Sequence, residues 1–253
     1  METITSRENA KIKYACAVRD SEKQRAADGL FFAEGPKLCL ELAKSCTPRA
    51  MYATAAALAK TPELAQFDPA EIAPHVAEKL SGTKSNQGVF ALFETPVPPA
   101  DTLDTARRIL MLEGVQDPGN VGTILRTADA FHADGMFLVN GCADLYNPKT
   151  LRATMGAVFR CPVWTVGAEE LSALLKKSGI PLYGAALRED TLDARAVDYN
   201  RCAIAIGSEG RGLTEGVLAL CDRTIKIPMS EHCESLNAAA AATVLLWEAA
   251  RND

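Results

Sequence analysis

Apolar positions along this chain follow two rhythms: short runs of branched and aromatic residues, and longer stretches where apolar residues return every three or four positions. This predicts strands alternating with helices. The first third predicts a helix over Ala10 to Arg25, a strand at Leu30 to Ala33, a helix from Pro36 to Ser45 and a strand through Gly88-Val89-Phe90-Ala91-Leu92-Phe93. Thr95 to Asp104 then carries three prolines and little to bury, and reads as an extended connector. Beyond it the alternation is regular. Strands are expected at Ile109 to Val115, Met136 to Val139, Ala157 to Val166, Pro181 to Leu187, Cys202 to Ile206 and Thr224 to Ile227. Helices are expected at Gly122 to Phe131, from an Asn147-Pro148 cap through Met155, at Ala168 to Ser178, near Leu213 to Leu220, and from about Asn237. Such alternation makes a parallel-sheet α/β domain. The expected organisation is a small α/β domain over residues 1–94, a linker over 95–105 and a larger α/β domain over 106–253.

With 253 residues, 48% of them hydrophobic, the chain can build its cores without disulfide or metal staples. Its longest apolar runs, such as Val89 to Phe93 and Ala238 to Trp247, fall short of a membrane span. The N-terminus has no basic stretch followed by an apolar one, so the chain reads as cytoplasmic. The eight cysteines are scattered without a Cys-x-x-Cys pair, so buried free thiols are expected. His232-Cys233 beside Glu231 and Glu234 crowds metal-ligand types together, but consecutive residues on one short loop rarely converge on one ion, and no metal is expected.

The net charge of -5 argues against a protein that coats nucleic acid through bulk electrostatics, so any RNA contact must use local positive charge. Candidates are Arg7, Lys11, Lys13, Arg19, Lys23 and Arg25 near the N-terminus, and Lys149, Arg152 and Arg160 further on. The N-terminal set is interleaved with Glu8, Asp20 and Glu22, and solvated helix faces account for it nearly as well.

Three segments place glycine, proline or small polar residues where a strand hands over to a helix, which is where open α/β sheets bind ligands. The first is Val115-Gln116-Asp117-Pro118-Gly119-Asn120-Val121-Gly122-Thr123-Ile124-Leu125-Arg126. Asn120 can cap the helix, and Val121, Ile124, Leu125 and Ala128 form its apolar stripe. Arg126 lies off that stripe, either meeting an anion such as an RNA phosphate or pairing locally with Asp129 or Asp134. The second is Ile206-Gly207-Ser208-Glu209-Gly210-Arg211-Gly212-Leu213, whose glycines allow close backbone approach to a ligand. It lacks the endings of a phosphate loop or a dinucleotide fingerprint. The third runs from Ile227-Pro228-Met229 into Ser235-Leu236-Asn237, where Ser235 or Asn237 can satisfy the free amides of an alanine-rich helix.

In order and content these segments resemble the three motifs of the SpoU (TrmH) family of RNA 2'-O-ribose methyltransferases, within the SPOUT superfamily. The likeness spans roughly the last three-fifths of the chain. The opening Ile4-Thr5-Ser6-Arg7-Glu8-Asn9, Phe32-Ala33-Glu34-Gly35 and Ser85-Asn86-Gln87-Gly88 are similar to the substrate-binding domain that precedes the catalytic one in many members. The resemblance implies a deep trefoil knot, a homodimer joined through the last helix, and S-adenosylmethionine as methyl donor. It places the donor at Ala185, Ala186 and Leu187, at Ile206, Gly207, Ser208, Glu209 and Gly210, at Ile227, Pro228 and Met229, and at Ser235, Leu236, Asn237 and Ala240. It assigns catalysis to Asn120, Arg126, Glu209, Ser235 and Asn237, and RNA contact to Lys149 and Arg152 with Asn147 beside them, while Arg7, Lys11 and Lys13 are the N-terminal RNA contacts that local charge offers.

A guanidinium is effectively never deprotonated in proteins, so Arg126 reads as a clamp on the phosphate and a stabiliser of developing alkoxide charge. The proton would leave to Glu209, a phosphate oxygen or water. The reaction needs alignment, a proton acceptor and exclusion of water rather than a metal. His132 stands where relatives commonly have glycine, and Thr154 where serine is common. Ribosomal RNA is the favoured substrate. The alternatives are a tRNA ribose or base methyltransferase of the same fold, or an RNA-binding protein that has lost catalysis.

Overall fold

A computed structural model describes residues 3–83, 85–99, 101–230, 232–233 and 235–251. The chain divides into two units, Met1–Val97 with Asp144–Arg152, and Pro98–Ala143 with Ala153–Asp253.

In the first unit Ser21 splits the helix expected over Ala10 to Arg25. Its backbone turns extended and its side chain accepts from the Gln24 amide, ending α1 (Ala10–Asp20) and starting α2 (Glu22–Asp28). There follow β1 (Leu30–Glu34), α3 (Pro36–Leu42), β2 (Pro48–Ala53), α4 (Ala55–Lys60), β3 (Ala70–Glu71), α5 (Pro74–Leu80) and β4 (Val89–Glu94). Among the described residues the sheet order is β1-β4-β2-β3, antiparallel except for the β2–β3 pair. Ile12, Val18, Phe32, Val76, Phe90 and Leu92 fill its core.

The segment 144–152 belongs to this unit, and Arg25 helps to hold it there. Arg25 is 5% exposed, its Nε and Nη2 meet Asp144 Oδ2 at 2.7 and 2.5 Å, and its Nη1 donates to the Val18 and Arg19 carbonyls. Tyr146 stacks on Phe31 at 4.9 Å. Arg19 is engaged similarly, by Asp20 and by the carbonyls of Lys79, Leu80 and Ser81. Both arginines therefore leave the set of RNA-facing candidates, because internal acceptors already occupy their donors. Arg25→Ala is expected to lower unfolding free energy by about 3 kcal/mol by stranding the Asp144 carboxylate. A denaturation midpoint equal to wild type would contradict this.

The second unit contains α6 (Thr102–Thr105), β5 (Arg108–Glu113), α7 (Pro118–Ala130) and β6 (Gly135–Val139). The chain passes through α8 (Pro148–Thr154) to β7 (Val163–Thr165), α9 (Ala168–Lys177), β8 (Leu182–Ala185), β9 (Leu192–Asp193), β10 (Cys202–Ile206), α10 (Glu215–Leu218), β11 (Arg223–Lys226) and α11 (Ala238–Ala250). The described strands form one sheet in the order β7-β6-β5-β10-β8-β11-β9, every pairing parallel, as the alternation predicts. From β5 the chain winds one way through β6 to β7, then returns to build the other side, so the winding reverses between β5 and β10. Ile109, Met111, Phe137, Leu171, Ala203 and Ala205 belong to the core cluster.

Two local expectations differ from the structure, and one short strand is additional. The strand expected over Ala157 to Val166 is mostly absent: Met155 and Gly156 adopt left-handed backbone, a 3-10 turn covers Ala157–Phe159, and pairing is confined to β7. The helix near Leu213 to Leu220 shrinks to α10, because Thr214 caps it only at Glu215. The two-residue β9 carries too little pattern to be expected. His132 sits at φ 53 just past α7, in the left-handed region that glycine adopts most readily.

Cys39, Cys161 and Cys202 are buried free thiols, the last two pushed up to about 12 by burial. Cys233 is exposed, contrary to expectation. Among the described residues no helix is long and apolar enough to cross a membrane.

Candidate functional site

Asp117, not Asn120, caps α7: its Oδ1 accepts from the Asn120 amide at 2.9 Å, and Pro118 takes the first helical position, where no amide is needed. This shift by one turn frees the Asn120 side chain. Its Nδ2 donates to Glu209 Oε1, and its Oδ1 accepts from Asn237 Nδ2 at 3.2 Å. Asn237 in turn caps α11, accepting from the amides of Ala239 and Ala240 at 2.9 and 3.3 Å. One residue from each of the three motifs thus joins a single hydrogen-bonded chain. The helices that position Asn120 and Asn237 pack together: Val121, Ile124, Leu125 and Ala128 are fully buried, and Thr127 Oγ1 of α7 lies 3.5 Å from Thr243 Oγ1 of α11.

The 207–213 loop that presents Glu209 folds back on itself. Ser208 and Gly212 form a β-bridge, with the Gly212 amide donating to the Ser208 carbonyl at 2.8 Å. A Cβ on Gly207 would stand 2.0 Å from Gly212 C and 2.3 Å from Leu213 N, so this position admits only glycine. Glu113, at the end of β5 and 2% exposed, braces the loop's exit. Its Oε2 accepts from the Thr214 amide at 2.8 Å, and its Oε1 from Thr214 Oγ1 at 2.8 Å and Asn140 Nδ2 at 2.7 Å. Sequence reading passed over Glu113. The signal was a carboxylate closing an otherwise apolar strand, a group that must be buried with partners.

A cleft of about 1010 Å³ opens outside β8, β10 and β11. Ala185, Ala186 and Leu187 line it after β8; Ile206, Gly207, Ser208 and Glu209 after β10; Ile227 and Met229 after β11; and Ser235 and Leu236 before α11. Arg188 and Glu215, paired at 2.9 Å, also face it. Gly210, Pro228, Asn237 and Ala240 do not line it. Ala238 and Ala241 do, because these alanines fall on the side of α11 toward the cleft.

Arg126 is exposed on α7 and has no ion pair or hydrogen bond among the described residues. Neither suggested local partner takes it. Asp129 holds Arg160 at 2.7 Å, and Asp134 accepts from the Arg107 and Arg108 amides at 2.8 Å each. Asn147 caps α8 through the Lys149 amide, and exposed Lys149 and Arg152 ride with the first unit. There Arg7 pairs with Glu78 and Lys13 with Glu8, whereas Lys11 is exposed. Glu231 and Glu234 lie outside the described residues, among which no cluster of metal-ligand side chains occurs.

Residues 107–247 match the model described as the SpoU rRNA Methylase family, and residues 9–91 match the MRM3-like substrate binding domain. A Bacillus subtilis protein named 23S rRNA (guanosine(2553)-2'-O)-methyltransferase RlmP is 31% identical, with 98% of each chain covered. The solved structure of an AdoMet-bound rRNA methyltransferase from Sinorhizobium meliloti superposes with a TM-score of 0.88 at 28% identity, covering 99% of this chain and 98% of that one. The SpoU methyltransferase AviRb from Streptomyces viridochromogenes, in complex with AdoMet, gives 0.85 at 27% identity, with 97% and 98% covered. With a parallel sheet whose three motif loops meet through Asn120, and a family match spanning 107–247, this chain belongs to the SpoU rRNA methylase family.

Proposed function

We propose that this chain transfers the methyl group of S-adenosylmethionine to a ribose 2'-hydroxyl of ribosomal RNA, acting as a cytoplasmic homodimer. The observation that carries the reading is the Glu209–Asn120–Asn237 chain, whose carboxylate lines a cleft of about 1010 Å³ built largely from backbone turns. The cleft fits the donor. It has the volume of a small-molecule site, its glycine-tight wall at Gly207 gives close backbone approach, and Glu209 supplies negative charge for a sulfonium. When bound, S-adenosylmethionine supplies an electrophilic methyl group.

The protein's share is placement. Asn237 fixes Asn120 and Asn120 fixes Glu209, which takes the hydroxyl proton, and Ser235 lines the cleft beside the capping Asn237. Arg126 grips the adjacent phosphate and steadies the forming alkoxide, and its lack of a local partner leaves its fork available. Exposed Val244 and Trp247 on α11, with Met155, supply apolar surface for a second copy. In that account the turns that follow β10 and β11 form part of a deep trefoil knot. Residues 1–94 hold RNA through Arg7, Lys11 and Lys13, 95–105 link, and Lys149 and Arg152 add contacts. The ion pairs of Arg7 and Lys13 are half-exposed surface pairs, weak enough to be exchanged for phosphate. Mapping ribose methylation in ribosomal RNA from cells with and without the protein tests the reading: one ribose methyl is expected to vanish, and identical maps would overturn it.

A further inference from the structure

A second cavity, of about 330 Å³, opens beside the donor cleft, and residues 208, 209, 211 and 212 line both. It lies outside the carboxyl ends of β5, β6 and β10, over the place where the winding of the sheet reverses. Open α/β sheets bind ligands at that place, because the loops on either side diverge and leave a crevice.

The floor of this cavity is rigid. Glu113 is buried, and its carboxylate is held by the three bonds from Thr214 and Asn140. The rim has hydrogen-bonding capacity to spare. Gln116 and Arg211 are exposed, with no hydrogen bond or ion pair to their side chains among the described residues. Asn140 gives its Nδ2 to Glu113 and keeps its Oδ1 as an acceptor at the wall.

We propose that this cavity takes the base of the nucleotide being methylated, turned out of its stack, with Gln116, Arg211 and Asn140 meeting its hydrogen-bonding edge. The inference rests on the ribose-methyltransferase reading and adds the seat of the acceptor. Glu209 supplies the geometric reason. It faces both cavities, so an acceptor ribose placed at Glu209 with the donor on one side has its own base within reach of the other. A base edge carries donors and acceptors together. An amide, a guanidinium and an amide oxygen match it better than they match a phosphate, which would favour cations alone. Extruding a nucleotide is the general solution when chemistry must reach an atom hidden in folded nucleic acid.

The test uses the full-length protein, S-adenosylmethionine and 23S ribosomal RNA purified from cells that lack the protein. Gln116→Ala is expected to raise KM for the RNA about tenfold by deleting a contact at the base edge. Its calorimetric affinity for S-adenosylmethionine should equal that of wild type. Gln116→Ala combined with Arg211→Ala should raise KM further. Wild-type KM in both variants would overturn the proposal, as would a loss of S-adenosylmethionine affinity in Gln116→Ala, which would assign Gln116 to the donor cleft. Wild-type protein that transfers no methyl to this RNA would overturn the underlying reading, and the proposal with it.

Discussion

Arg126→Ala is expected to slow methyl transfer about a thousandfold while leaving S-adenosylmethionine binding unchanged. The argument starts from charge. A fixed cation stands exposed on α7, and the two acidic residues near it in sequence are committed elsewhere, Asp129 to Arg160 and Asp134 to backbone amides. Arg126 does not line the donor cleft, so removing it takes nothing from donor binding. What it removes is a charge-assisted fork for a phosphate and for the oxygen that becomes negative during attack, an interaction stronger in the transition state than before it. Arg126→Lys keeps the charge and loses the planar fork, so it should recover only part of the rate. Single-turnover rates with donor affinity measured in parallel check this. A lysine variant at full speed would rule out the two-pronged clamp.

Gly207→Ala should weaken S-adenosylmethionine binding by about a hundredfold or more. The added Cβ would sit 2.0 Å from Gly212 C and 2.2 Å from its carbonyl oxygen. These are backbone atoms, and they cannot swing aside. The Gly212 amide is bonded to Ser208, and the loop leaves through Thr214, which Glu113 holds by two bonds. The loop must therefore open, and with it the wall of the cleft. Gly210 provides the control within the same motif. A Cβ there meets nothing within 4 Å, so Gly210→Ala should bind the donor nearly as wild type does. Calorimetry on the two variants separates a steric cause from a general intolerance of the motif. Equal losses would contradict the steric account.

Much of the fold was legible because it rests on local periodicity. The apolar stripe of α7 at Val121, Ile124, Leu125 and Ala128 is buried as spaced, and the regular alternation beyond residue 105 yields the parallel sheet. The errors fall where one residue's backbone or cap decides. Ser21 cuts a helix that hydrophobic spacing would continue, and left-handed Met155 and Gly156 replace an expected strand with a turn. At the site, spacing marked the three loops but assigned the cap of α7 to Asn120, since Asp117 and Asn120 are both good capping residues. Only the register of Pro118 in the folded helix separates them. Charge was the least legible property. Arg25 reads in sequence like any other N-terminal cation, and only tertiary contact with Asp144, 119 positions away, shows it to be internal. Glu113 went unnoticed for the same reason, because its partners Asn140 and Thr214 are remote in the chain.

Incubating the purified protein with S-adenosylmethionine carrying an isotopically labelled methyl group and ribosomal RNA from cells lacking the protein, then digesting to nucleosides for mass spectrometry, tests the central claim most directly. The label is expected on the ribose of a single nucleoside, and to appear about a thousandfold more slowly when Arg126→Ala replaces the wild type. Label on a base, or none on RNA at all, would contradict the account.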